Sequence, residues 1–150
     1  MIVERTDGAF MGRHNGETLL IEAWGPDALR VRTTREATFA GQDWALVERP
    51  SAAAVVKECE QPCVGEDHRA WRIENGRVSC TVNAFGVLTF FRDGRLILRE
   101  HFRNYDGTIS RESHCLKMEG RTYRAHVGGA WRIVQRFEAN PGEQIGRAHV

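Results

Sequence analysis

The chain has 150 residues and a mass of 17.0 kDa, is 41% hydrophobic and 27% charged, and has a mean hydropathy of -0.45. This excludes a disordered chain, a collagen-like chain and a helical membrane-spanning one, and it fits one soluble globular domain. Lys plus Arg at 21 nearly cancels Asp plus Glu at 20, so the net charge of +1 predicts no nucleic acid and no anionic membrane as partner.

The opening stretch, MIVERTDGAFMGRHNG, holds no apolar run long enough for a signal peptide, and no later segment approaches the roughly 18 apolar residues of a membrane span. A cytoplasmic location is therefore expected. Only Lys57 and Lys117 are lysines, which leaves 19 arginines. Clustered arginines would argue for bidentate capture of carboxylate or phosphate. These are spread along the whole chain, as a GC-rich coding bias would leave them.

Along the chain, apolar and polar residues alternate with the period of a strand, and helical spacing is confined to a short alanine-rich stretch at residues 51–56. TLLIEAW and ALRVRTT form the first pair of predicted strands, broken by Trp24-Gly25-Pro26-Asp27. In the second, Leu29, Val31 and Thr33 share one face, which leaves Arg30, Arg32 and Thr34 facing solvent. Asn75-Gly76 is a two-residue hairpin signal, because both positions of a type I′ turn need positive φ. It leads into RVSCTVN, where Val78, Cys80 and Val82 oppose Arg77, Ser79 and Thr81. Asn83-Ala84-Phe85-Gly86 closes that strand. Phe90 and Phe91 then fall on opposite faces of VLTFF, so both sides of this strand are expected to be covered. Asp93-Gly94 is a second hairpin signal. Gly128-Gly129 precedes AWRIVQRFEA, in which Trp131, Ile133 and Phe137 alternate with Arg132, Val134 and Arg136 to give one apolar face. About nine or ten short strands, with turns every 8 to 12 residues or so, predict an all-β fold: an antiparallel two-sheet β-sandwich in one domain.

Candidate chemistry is sparse. Cys59, Cys63, Cys80 and Cys115 fit free thiols, and their C-x-x-x-C spacing followed by two singletons is a poor zinc pattern. His14, His68, His101, His114, His126 and His149 lack the H-x-x-x-H or H-E-x-x-H spacing that seeds a metal site. Ser113-His114-Cys115 places the parts of a nucleophilic triad side by side, but neighbouring strand residues point to opposite faces. Among Asp7, Asp27, Asp43, Asp67, Asp93 and Asp106, the residues Asp27, Asp67 and Asp93 lie in turn-like contexts, where Asp bonds local backbone rather than substrate. GAFMG and GGAW lack the Lys and the strand-to-helix setting of a phosphate loop. Four tryptophans, Trp24, Trp44, Trp71 and Trp131, either build the core or, where exposed, offer platforms for stacking sugars.

Three stretches in order, TLLIEAWGPDALRVRTT, ENGRVSCTVNAFGVLTFFRDGRLILRE and WRIVQRFEANPGEQ, resemble the N-terminal domain of glycoside hydrolase family 31, which includes α-glucosidases and α-xylosidases. The first resembles its early strand pair, turning at Gly-Pro-Asp and emerging as L-R-V-R. The second resembles its N-G to D-G hairpin run. The third resembles the "Q-R-F-E-A…G-E" strand that leads toward the catalytic barrel. The resemblance spans about residues 16–144 and implies a galactose-mutarotase-like β-sandwich. It also implies that the two catalytic Asp residues, in the retaining arrangement with carboxyls about 5–5.5 Å apart, lie on a barrel beyond this region. No residue of this chain is carried over as catalytic, and no cofactor or metal is expected.

Past Glu143-Gln144 the pattern departs from the family, and residues 145–150, IGRAHV, match the translation of a common sequencing-adaptor read. They are expected to be a non-native tail after a domain at residues 1–144. The resemblance then implies a severed front portion, inactive alone. It would support a missing barrel, border the pocket of an α-linked oligosaccharide, and self-associate through the barrel-facing surface it leaves exposed. Tyr105-Asp106-Gly107 is the expected place for a pocket-bordering loop. The alternatives are a free-standing carbohydrate-binding β-sandwich and a mutarotase-type epimerase, the latter needing a His and a Glu that converge in a cleft.

Overall fold

Strands dominate because β-branched and aromatic residues fall at alternate positions between closely spaced turns. The computed structural model describes residues 1–6, 8–41, 54–60, 69–102 and 119–138. Through them run eleven strands, β1 (Ile2–Thr6), β2 (Ala9–His14), β3 (Glu17–Ala23), β4 (Leu29–Thr34), β5 (Val55–Glu60), β6 (Arg69–Asn75), β7 (Val78–Asn83), β8 (Leu88–Arg92), β9 (Arg95–Arg99), β10 (Arg121–Ala125) and β11 (Trp131–Gln135). That is slightly more than the alternation predicts. The helical spacing at residues 51–56 does not produce a helix at its described end. Ala54 enters the core, and the β-branched pair Val55-Val56 opens β5. Residues 51–53 and the tail at 145–150 lie outside the described residues.

The chain falls into two compact units, Met1–Leu98 and Arg99–Val150. The first is a sandwich of two antiparallel meanders, one ordered β1-β2-β3-β4 and the other β5-β6-β7-β8-β9. Phe10, Leu19, Ile21 and Ala23 of the first sheet meet Ala54, Trp71, Ile73, Cys80, Val82 and Leu88 of the second. Phe10 and Trp71 touch across the gap with ring centroids 5.9 Å apart, a tilted aromatic pair worth about 0.5–1.5 kcal/mol beyond its buried area. Gly12 makes this possible, since a Cβ there would fall 3.0 Å from the Phe10 ring and 2.9 Å from Met1 Sδ. Leu29 and Val31 of β4 pack on this core as predicted. Phe90 packs there too, while Phe91 faces the other side beneath the Arg72 guanidinium.

One end of the sandwich gathers the β1–β2, β3–β4, β6–β7 and β8–β9 turns, as the strand registers require. Asp93 and Gly94 both take positive φ, 50° and 77°, the predicted type I′ pattern. Asn75-Gly76 behaves differently. Asn75 still pairs with Val78, so the two loop residues are Gly76 and Arg77, and only Gly76 has positive φ, at 56°. That is the pattern of a II′ turn. The one-residue shift frees Asn75 Nδ2 to donate to Gly25 O at 2.7 Å and Ala28 O at 2.6 Å in the β3–β4 turn of the opposite sheet. Arg77 N donates to Asp27 Oδ1 at 2.6 Å, and Ala54 N donates to Gly8 O at 3.0 Å. Both sheets are latched at this end.

Gly76 admits no side chain, because a Cβ there would collide with the Asp27 carboxylate and its φ is left-handed. The Gly76→Ala variant is expected to lose at least about 1–2 kcal/mol of unfolding free energy in urea titration. Asn75→Ala, which strands two carbonyls, is expected to lose about 1–3 kcal/mol.

Candidate functional site

At the latched end the charged groups serve the turns. Arg77 donates twice to Asp93, from Nε to Oδ1 at 2.9 Å and from Nη2 to Oδ2 at 2.6 Å, and Asp93 N returns a bond to Arg77 O at 2.9 Å. Those two hydrogen bonds hold the Asp93 carboxyl below its ordinary pKa and push the Arg77 guanidinium up. Asp27, at a φ of 56°, supplies an acceptor to the neighbouring turn. Asp27 and Asp93 are thus turn residues, as their contexts suggest. On the outer face of the second sheet, Glu74 accepts from Lys57 Nζ at 3.2 Å and from Arg72 Nε at 2.7 Å. The Lys57 bond, then the Arg72 bond, lower the Glu74 carboxyl pKa.

The opposite end of the sandwich holds an open polar cleft of about 480 Å³. It lies beside the β2–β3 turn, where Asn15 and Gly16 have φ of 51° and 76°. Arg13, His14, Glu17, Thr18, Arg35 and Glu36 supply most of its polar lining. His14 and Glu17 thus share one lining, the residue types that an epimerase would need. The His14 ring is also edge-on to Phe85, 6.4 Å away in the β7–β8 turn. Among the described residues, no Phe, Tyr or Trp ring lines the cleft as a stacking platform.

The predicted solvent face of β4 is only half open. Arg32 Nη2 reaches Glu22 Oε2 at 2.8 Å, where Glu22 is buried, and its guanidinium covers Phe39. Arg30 covers Trp24 at 4.6 Å from the ring centroid. Both arginines face away from the core, yet their heads return to the surface to cover an acid and two rings.

The second unit is built on the β10–β11 hairpin, turned through Val127–Gly129, where Gly128 and Gly129 have φ of 80° and 78°. Glu100 is 1% exposed and accepts from Arg121 Nη1 at 2.5 and 2.6 Å and from Gln135 Nε2 at 2.7 Å. Gly120 leaves room for it, since a Cβ there would fall 3.1 Å from Glu100 Cβ. Backbone bonds from His101 N to Arg136 O and from Glu138 N to Arg99 O flank the Glu100–Phe137 bridge. This is a structural ion pair, and deleting one partner would strand a buried charge at a cost of about 3–5 kcal/mol. The predicted apolar face of WRIVQRFEA is present and open to solvent: Trp131, Ile133 and Phe137 are 39%, 45% and 41% exposed.

Of the other tryptophans, Trp71 is core and Trp24 is half-buried beneath Arg30, while Trp44 lies outside the described residues. Neither Cys80, which is buried, nor Cys59, which is half-buried, is in a disulfide, and burial pushes the Cys59 thiol pKa up. Cys63, Cys115, Ser113-His114, His68, His149, Asp7, Asp43, Asp67, Asp106 and Tyr105-Asp106-Gly107 lie outside the described residues. Among those described, no three His, Cys, Asp or Glu side chains converge as metal ligands, and no helix is long and apolar enough to cross a membrane. GAFMG runs into β2, a strand with no following helix.

No family model matches the chain. It is 30% identical over 142 residues to an uncharacterized family 31 glucosidase of Pseudescherichia vulneris, covering 89% of this chain and 25% of that protein. It also superposes on the crystal structure of a GH31 α-xylosidase from a soil metagenome complexed with xylose. There the TM-score is 0.77 at 33% identity, over 95% of this chain and 21% of the other. The resemblance to family 31 is shown. It extends over nearly all of this chain and only about a quarter or a fifth of the length of the family 31 proteins matched. The β-sandwich predicted from alternation has its counterpart in the GH31 structure.

Because the native Asp93 and Glu74 pKa values are depressed, their contributions to stability are present at neutral pH and are lost as pH falls through the native values. Asp93→Asn is therefore expected to lower Tm at neutral pH and to flatten its fall between about pH 5 and about pH 2, as measured by circular dichroism melts.

Proposed function

We propose that this chain is the N-terminal, non-catalytic β-sandwich domain of a retaining family 31 α-glycosidase, acting in the longer enzyme on α-linked glucosides or xylosides. The carrying observation is the asymmetry of coverage. Almost all of this chain matches two family 31 proteins, one a glucosidase and one an α-xylosidase bound to xylose, yet the match takes in only 25% and 21% of them. Catalysis then belongs to the part not matched. In this reading the domain supports the catalytic barrel and borders its sugar pocket, and it stays in the cytoplasm. The exposed row of Trp131, Ile133 and Phe137 supports a packing role, since such a row is costly to leave in water. The expected result is no hydrolysis of aryl α-glucosides or aryl α-xylosides above buffer; robust turnover would sink the proposal.

The exposure of Trp131 favours one second reading, a carbohydrate-binding module that stacks sugars on that ring. Calorimetric titration with maltose and xylo-oligosaccharides separates the two, since a binding module saturates and a scaffold gives only heats of dilution. In the 150-residue chain tested alone, the same exposed row is expected to drive self-association. In sedimentation velocity, the sedimentation coefficient is expected to rise with protein concentration. The Trp131→Ser, Ile133→Thr double variant should abolish that rise. A wild-type chain that stays monomeric at high concentration would count against the packing role.

A further inference from the structure

The β10–β11 ribbon carries a second face, part exposed and part half-buried, with different chemistry. Thr122, Arg124, Arg132, Val134 and Arg136 lie opposite the Trp131 row, because residues paired across antiparallel strands share a face. Arg124 and Arg132 are direct cross-strand partners, and both are exposed. Among the described residues, no carboxylate pairs with either. Arg136 makes one long bond, from Nη1 to Thr122 Oγ1 at 3.5 Å. Like charges set directly opposite one another destabilise a ribbon. Several arginines of the described sandwich are handled differently: Arg32 has Glu22, Arg72 has Glu74 and Ser79, and Arg77 has Asp93.

We propose that the Arg124, Arg132 and Arg136 face is a docking surface for a carboxylate-rich protein segment or surface, with Asp or Glu side chains bridging the guanidiniums. Charge complementarity selects the partner. Arginines at paired positions of neighbouring strands suit carboxylates, which planar guanidiniums bind through paired N–H donors. A saccharide is disfavoured because this face offers Val134 as its apolar side chain and no aromatic ring, the hairpin's exposed aromatics being on the other face. Nucleic acid is disfavoured because the chain as a whole carries a net charge of only +1, which gives no extended field beyond these three side chains. This inference does not depend on the glycosidase reading.

The test uses the full 150-residue chain and a fluorescently labelled oligoglutamate peptide, read by anisotropy at low salt. Saturable binding is expected, weakening as salt rises. The Arg124→Glu, Arg132→Glu double variant should weaken it by about tenfold or more. Arg95→Glu, at an exposed arginine of β9, should leave it unchanged. The single Arg124→Glu variant separates docking from misfolding: its new carboxylate faces Arg132, so Tm should hold or rise while binding falls. The proposal is overturned by no saturable binding, by equal binding of the double variant, or by tighter binding of an oligonucleotide or an oligogalacturonate of matched charge.

Discussion

Two sheets whose only bond is apolar contact are free to slide, and here the Asn75 amide prevents it. Its two hydrogens are shared between Gly25 O and Ala28 O of the facing sheet. Around it, Arg77 N grips Asp27 and the Arg77 guanidinium grips Asp93, so three turns from both sheets form one hydrogen-bonded unit. With that alignment set, Phe10 meets Trp71, Gly12 makes room, and Ile21, Ile73 and Leu88 close the core. An apolar interior tolerates many registers; directional bonds to particular carbonyls tolerate few.

Most of the sandwich was legible because its signals are local. Alternation in RVSCTVN and ALRVRTT showed which residues share a face, and Asp93-Gly94 placed a hairpin with the expected φ pair. The Asn75-Gly76 signal lies one residue ahead of the actual loop, Gly76-Arg77, for a physical reason. Type I′ and II′ turns both favour Gly, and the choice was made by a distant partner, the β3–β4 turn, that waits on the Asn75 side chain. The alanine-rich run at residues 51–56 misled similarly: Ala has high helix propensity, but Val55 and Val56 were claimed by pairing with β6. Asn15-Gly16, between β2 and β3, is a further signal of this kind, a plain type I′ dipeptide.

The family was legible by resemblance; the site was not. The Gly25-Pro26-Asp27, Asn75-Gly76 and Asp93-Gly94 turns, parts of the family 31 resemblance, supply residues of the latch. What is recognisable here is therefore architecture, and it carries no reacting group. The polar cleft has no sequence signature because its walls come from three separated segments, none with a distinctive spacing. The same limit hid the return of Arg30 and Arg32 onto Trp24, Phe39 and Glu22, since alternation gives the direction of a Cβ and not the course of a long side chain.

The latch occupies one end of the sandwich, whereas at the other the described contact between the sheets includes a ring edge, His14 on Phe85. The two ends therefore have different tolerances. A chain lengthened at Asn15-Gly16 leaves every latch bond untouched, while one lengthened at Gly76-Arg77 displaces the donors that align the sheets. Variation in such a domain has an address, and grafted or inherited loops can accumulate around the cleft without moving the core.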